Sequence, residues 1–378
     1  MSSWRAAATA ALIIAGAAFG SRIEAGQKAI QIGVQLPLSG DRAAVGRAIK
    51  SGVEMAVEAV NREGGAGGAP VEVIYEDDQD TEQGAREALK KLVQDHRVVA
   101  VVGELFSRYV IACLEIVEQA GVPYLTGGTS PRTTEQTRWI FRVGASDALL
   151  ADLLARYAVG DLKLNKLALL HDQTGIHNAR AEMVVKVLKE RYGIEPVVRA
   201  GWKPGDRDFT PQLSQIKAHP VQAILALGET GEAGPFLRQV KALGLHARVI
   251  AHRDFGAKQA LEEAGGAAEG VVIVTEYIPA LQGPERQAWA RAYQERYGIE
   301  GNVISAQYYD AVLLLAEAAK RGGVSREGVR LGLEQLKGFR GVMADYTFDA
   351  KRNGVHRLYV AEITAGRPTL VTILEESL

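Results

Sequence analysis

The sequence predicts an α/β protein of two doubly wound lobes, each built on an open parallel sheet. Short β-branched runs alternate with helix-length amphipathic segments, the signature of repeated βα units with right-handed crossovers. The alternation restarts after Phe141-Arg142-Val143-Gly144, so it forms two runs. The 378 residues exceed one ordinary domain, and no low-complexity linker separates the runs, so short crossings are expected to join the lobes.

In chain order, residues 30–36 read as a strand and residues 43–61 as a helix. Ala48, Ile49, Val53, Ala56, Val57 and Val60 recur there at three and four residues and mark one buried face. Residues 71–75 are the next strand. Asp80 is expected to cap the following helix, with Gln83 placed for a reciprocal contact. Residues 98–102 are a continuous apolar run, as a parallel strand covered on both faces requires. A helix over 107–120 and a strand over 123–126 complete the first run. In the second run the strands are 166–170, 196–200, 221–227, 248–251 and 270–274, with helices such as 179–191 and 231–243 between them. Long helices follow over 284–297 and 305–321. The end differs: 346–348 and 356–363 read as strands joined by the turn Lys351-Arg352-Asn353-Gly354.

Bulk composition narrows the function classes. The net charge of −1 carries no signature of nucleic-acid or anionic-membrane binding. The single cysteine, Cys113, closes no intrachain disulfide and lies in an apolar helical stretch, where a buried structural thiol is expected. At the N-terminus, Arg5 precedes an apolar run over residues 6–19 with small residues near its end. Residues 1–25 therefore read as a cleavable signal peptide, with a retained anchor as the alternative. No cysteine follows the run, so export without a lipid anchor is expected.

Several tempting motifs fail on context. Gly64-Gly65-Ala66-Gly67-Gly68 follows a helix and precedes a strand, so it reads as a helix C-cap and turn and not a phosphate loop. No histidine pair stands at metal-ligand spacing beside a suitable acid, and no Gly-x-Ser-x-Gly elbow occurs, so neither metal, cofactor nor catalytic residues are expected. The acidic stretch Glu76-Asp77-Asp78-Gln79-Asp80 suits capping and hinge contacts better than a cation. Two strand ends stand out: Gly103-Glu104-Leu105-Phe106-Ser107, and Thr126-Gly127-Gly128-Thr129-Ser130-Pro131. Ligands of open α/β sheets bind outside the carboxyl ends of strands, and the N–H groups of a helix start favour an anion. Ser107 and Thr129 offer hydroxyls, Gly127 and Gly128 allow close backbone approach, and Ser130-Pro131 suits an N-cap and first helical position. From these local cues alone, the hydroxyls serve a ligand or merely cap helices with equal ease.

The ordered set of segments resembles a known family. It comprises residues 30–41 (Ile30-Gln31-Ile32-Gly33-Val34-Gln35-Leu36-Pro37-Leu38-Ser39-Gly40-Asp41), Ala59-Val60-Asn61-Arg62-Glu63-Gly64-Gly65, Tyr75-Glu76-Asp77-Asp78, Val101-Val102-Gly103, residues 126–131, Phe141-Arg142, and Ala306-Gln307-Tyr308-Tyr309-Asp310-Ala311. It is similar to the leucine/isoleucine/valine-binding proteins, the type I periplasmic solute-binding proteins of ABC transporters. The resemblance implies two Rossmann-like lobes with parallel sheets and a three-crossing hinge near Gly144, Glu276 and His356. It places residues 29–145 and 276–356 in the first lobe, and 146–275 and 357–378 in the second. It implies that Ser107 and Thr129 hold a ligand carboxylate, that the Gly127 carbonyl takes a ligand ammonium, and that Leu105, Phe106 and Gly128 line the same wall. It also carries departures. Val45, Ile176 and Thr230 stand where amino-acid binders of the family have aromatics. The acidic ammonium partner falls in His252-Arg253-Asp254, where Asp254 can fill the role and Arg253 cannot.

The expectation is a periplasmic protein without enzymatic activity. It binds a small carboxylate, an amino acid before others, and delivers it to the permease of an ABC importer. A non-amine carboxylate such as an aromatic acid, a sensor domain for a small amide or acid, and a secreted enzyme on this scaffold are the alternatives.

Overall fold

The computed structural model describes residues 29–278 and 283–376; the expected signal peptide lies outside them. β1 (Ile30–Leu36), β2 (Val71–Asp77), β3 (Ala100–Gly103), β4 (Tyr124–Thr126) and β5 (Ile140–Arg142) form a parallel sheet in the order β2-β1-β3-β4-β5. Its central strands are apolar on both faces: Ile32, Val34, Val101, Val102 and Leu125 are all buried. α1 (Ala43–Arg62), α2 (Glu82–Lys90), α3 (Ser107–Ala120) and the short α4 (Arg132–Glu135) connect these strands.

The chain crosses to the second sheet through α5 (Asp147–Ala155). β6 (Leu167–Asp172), α6 (Gly175–Tyr192), β7 (Val198–Trp202), α7 (Thr210–Lys217), β8 (Ala223–Leu227), α8 (Thr230–Ala242), β9 (Arg248–His252), α9 (Lys258–Ala264) and β10 (Val272–Thr275) follow. The parallel strands run β7-β6-β8-β9-β10, so the second lobe repeats the strand order of the first. The chain then returns to the first lobe. α10 (Pro284–Tyr297), α11 (Val303–Gly322) and α12 (Arg326–Glu334) follow, and α11 packs along α1 and α12. After the short pair β11 (Phe339–Arg340) and β12 (Asp345–Tyr346), the chain crosses again to β13 (Arg357–Thr364) and β14 (Arg367–Glu375). These two add antiparallel to β10, making the second sheet seven-stranded.

One apolar cluster runs through both lobes, from Ile32, Val34 and Ile49 to Leu154, Leu169 and Val274. The other face of each sheet has its own cluster, around Val101, Cys113 and Ile140 in the first lobe and Trp202, Phe209 and Phe236 in the second. No helix of the described residues is long and apolar enough to cross a membrane.

Three local expectations are corrected. Thr81, not Asp80, caps α2, and its Oγ1 accepts the Gly84 N–H at 2.9 Å. Asp80 instead takes a left-handed backbone at φ 56 and pairs with Arg42 at 3.0 Å. Ser130 does not cap α4; Pro131 stands at that position, one residue later than expected. The strands flanking Lys351-Arg352-Asn353-Gly354 do not pair with each other, because β12 pairs with β11 and β13 with β10 and β14. The turn is nonetheless there: the Arg352 N–H bonds the Asp349 carbonyl at 2.9 Å, and Arg352 has φ 62.

Candidate ligand site at the strand ends

The first-lobe half of the site is two strand ends locked together. Ser107 is the first residue of α3, and its Oγ accepts the Ser130 N–H at 3.1 Å, tying the loop after β4 to the helix after β3. Thr126 Oγ1 donates to the Glu104 carbonyl at 2.6 Å and accepts the Gly128 N–H at 2.9 Å, a second tie between the same loops. Arg142, fully buried, clamps the loop from below. Its Nη1 donates to the Gly128 carbonyl, Nη2 to the Ser130 carbonyl at 2.8 Å, and Nε to Asn353 Oδ1 at 2.8 Å. Burial lowers its pKa to about 10, still cationic at neutral pH. Gly127 packs closely: a Cβ there would lie 2.3 Å from Gln307 Nε2 and 2.7 Å from Leu105 Cδ1, so both side chains would have to shift. Thr129 is half-buried, and its carbonyl accepts the Asp147 N–H at 2.9 Å.

Phe106 stands at the N-cap of α3 with the Arg42 guanidinium 4.7 Å from its ring centroid. Leu105 beside it is half-buried. Val45, in the first turn of α1, is half-buried and packs on the core, so no aromatic rises from that turn. The acidic stretch makes turn contacts. Asp77 Oδ1 accepts the N–H groups of Leu38 at 2.8 Å and Gln79 at 2.9 Å, and Oδ2 accepts the Ser39 hydroxyl at 2.7 Å.

The second-lobe half is charged. His171 and Asp172 end β6, Glu229 and Thr230 follow β8, His252, Arg253 and Asp254 follow β9, and Glu276 follows β10. Asp172 Oδ2 lies 2.6 Å from His177 Nδ1, and its Oδ1 accepts the Thr174 hydroxyl at 2.6 Å. Asp254 Oδ2 lies 2.6 Å from His252 Nδ1, and its Oδ1 accepts the Thr230 hydroxyl at 3.1 Å. Arg253 donates Nη1 to Glu276. Arg253 and Asp254 both reach solvent, with side chains 19% and 23% exposed. Ile176 is half-buried in the first turn of α6, next to His177.

The electrostatics follow from this crowding. Burial works to raise the Asp254 carboxyl, but the His252 imidazole against it and the neighbouring Arg253 guanidinium overcome it and hold the group well below the usual carboxylate range. Burial, with the charge of Arg180, lowers the His252 imidazole to about 4, so it is neutral. Burial and the charge of Asp254 raise Glu229.

The expected first-lobe residues Leu105, Phe106, Ser107, Gly127, Gly128 and Thr129 thus come together. In the second lobe Thr230 joins Asp254 directly, while Val45 and Ile176 make no hydrogen bond with either group. Sequence reasoning missed Asp172, His177, Arg180, Glu229 and Glu276. For the three acids the signal was their placement at or just past the end of a β-strand. Asp172, His177 and Glu229 bring ligand atoms within 4.8 Å of one another, a grouping that sequence spacing does not reveal.

A family model described as periplasmic binding protein matches residues 29–368. The chain is 30% identical over 326 residues to the Leu/Ile/Val-binding protein homolog 2 of Brucella abortus, covering 85% of this chain and 86% of the relative. It is 30% identical over 299 residues to the leucine-, isoleucine-, valine-, threonine- and alanine-binding protein of Pseudomonas aeruginosa, covering 78% and 79%. Among solved structures, the branched-chain amino acid transporter substrate-binding protein of Streptococcus pneumoniae in complex with isoleucine matches with TM-score 0.80 and 27% identity, over 92% of this chain and 100% of that one. By the extent of the family match and by these relatives, the chain belongs to the periplasmic binding protein family.

Proposed function

We propose that this protein is the periplasmic binding component of an ABC importer for an α-amino acid, held between the lobes with its carboxylate on Ser107 and Thr129. One observation carries the reading. The hydrogen bond from Ser130 N–H to Ser107 Oγ ties the residue next to Thr129 onto Ser107, at the start of a 14-residue helix. A helix start favours an anion there, through its unpaired N–H groups and dipole.

The amine end of the ligand suits the opposite wall. A desolvated ammonium needs an anion or carbonyl partner. Asp254 is held ionised and partly open, and a carboxylate that accepts one hydroxyl, here that of Thr230, has lone pairs left to accept more. The Gly127 carbonyl is the proposed first-lobe acceptor. The nearby Glu229 and Asp172 add to the negative field. Arg253, the group that would suit a second anion, is engaged by Glu276. In this reading the protein holds its ligand, performs no chemistry and presents the closed lobes to a membrane permease. The family and the apolar run after Arg5 support a periplasmic location.

A thermal-shift screen over amino acids, aromatic acids, dicarboxylates and amides identifies the ligand; saturation at about 100 times Kd adds roughly 2.7 kcal/mol of stability. A hydrogen bond to a charged group contributes about 1.5–3 kcal/mol. Thr129→Ala should therefore weaken binding of that ligand about ten- to a hundredfold. Wild-type affinity in both Ser107→Ala and Thr129→Ala contradicts the carboxylate assignment.

A further inference from the structure

Arg180 lies three residues beyond His177 on α6, on the same helix face, and is 4% exposed. Its Nε donates to Asp147 Oδ1 at 2.8 Å, with both side chains buried. Asp147 opens α5, and its own N–H bonds the Thr129 carbonyl. Three residues earlier on the same face, the His177 ring centroid lies 6.3 Å from that of His252 at the end of β9. This face of α6 thus touches both the residue bonded to the Thr129 carbonyl and the end of β9.

One ion pair leaves this group unsatisfied. A guanidinium carries five N–H donors in a fixed fork, and Arg180 Nη1 is buried without a hydrogen-bond partner. A charged donor left unpaired out of water is costly, so such an atom calls for an acceptor. Arg253, by contrast, already spends its Nη1 on Glu276.

We propose that Arg180 is a ligand-binding residue, whose free Nη1 is the second lobe's donor to the same carboxylate that Ser107 and Thr129 hold from the first. This rests on the carboxylate reading given above. The planar fork of arginine fits a carboxylate and is not replaced by the point charge of lysine. The anion then joins the lobes, and a ligand whose carboxylate is replaced by a carboxamide loses much of the second-lobe grip. Selectivity therefore falls on free acids over their amides, whatever side chain they carry.

The test uses the full chain and three equimolar probe mixtures: the L-α-amino acids, their α-carboxamides, and the corresponding 2-oxo acids. Apparent affinities come from concentration-dependent thermal shifts of wild type, Arg180→Met, Arg180→Lys and Thr129→Ala. Arg180→Lys keeps a cation beside Asp147, and circular dichroism checks that each variant is folded. The expected result is a ten- to hundredfold loss in Arg180→Met for whichever acid mixture binds wild type, with little loss for the amides. Arg180→Lys should recover only part of it. Unchanged affinity in both Arg180 variants overturns the proposal, as does an equal loss on acids and amides, which a merely structural role would give. A loss in Thr129→Ala with none at Arg180 leaves the carboxylate reading standing and removes this one. Failure of every mixture to stabilise wild type overturns both.

Discussion

Asp78 and Glu104 stand directly behind the Ser107 loop with no exposed surface. Asp78 Oδ1 accepts the Asp80 N–H at 2.9 Å and Glu104 Oε1 accepts the Leu105 N–H at 3.0 Å, but Asp78 Oδ2 and Glu104 Oε2 have no partner. Burial raises Glu104 well above its usual value and Asp78 to about 6, and the charge of Asp78 pushes Glu104 further. For Asp78 the folded protein thus binds the proton more tightly than the unfolded chain does. Its contribution to stability is full below about pH 4 and is lost as the pH rises through about 6. Asp78→Asn cannot ionise, so its stability relative to wild type should grow by about 3 kcal/mol between about pH 4 and about pH 8. Urea midpoints of the two proteins at those pH values decide this, and parallel pH profiles contradict it. At this scale the positions of Ser107 and Thr129 past strand ends were legible, because each follows an apolar strand and Ser107 opens a helix. Of the acids of the charged wall only Asp254 was named as a site residue, because Asp172, Glu229 and Glu276 lie at or just past the ends of different strands and are brought near one another only by the folded sheet.

The elements show how far periodicity reaches. α3 and α10 match the residues expected from the sequence, and both have sharp punctuation: Gly121 at φ 56 ends α3, and Pro284 starts α10. The strands of the second run fall within two residues of expectation at each end, because apart from the edge strand β7 they are largely apolar runs between more polar helices. Pairing was not legible near the C-terminus. Apolar pattern reports which face is buried, while the partners of β12 and β13 are decided by where the chain crosses between lobes. That region depends on Asp310 of α11, which accepts the N–H groups of Val342 at 2.6 Å and Met343 at 2.8 Å and the Tyr346 hydroxyl at 2.9 Å. Gly341 has no room for a Cβ, which would fall 2.3 Å from Asp310 Oδ2. Asp310→Ala strands these donors in the interior and should cost about 3 kcal/mol or more. Chemical denaturation of the variant reads the loss directly, and an unchanged midpoint contradicts the role given to Asp310.

For the whole molecule, the repeated strand order makes two similar lobes, and hinge bending between two such lobes is a general way to close around a ligand. If a ligand is gripped from both, its binding should shrink the radius of gyration measured by solution scattering. Identical profiles with and without saturating ligand speak against closure. Under the proposed function the site takes a zwitterion, with the anion at Ser107 and Thr129 and the ammonium facing Asp254. The direct measurement is titration calorimetry with the amino acid found by screening and its deaminated 2-oxo or 2-hydroxy analogue, on wild type and on Asp254→Asn. The account predicts that the amino acid binds wild type much more tightly than its analogue and that Asp254→Asn removes most of the difference. Equal or tighter binding of the deaminated compound contradicts it.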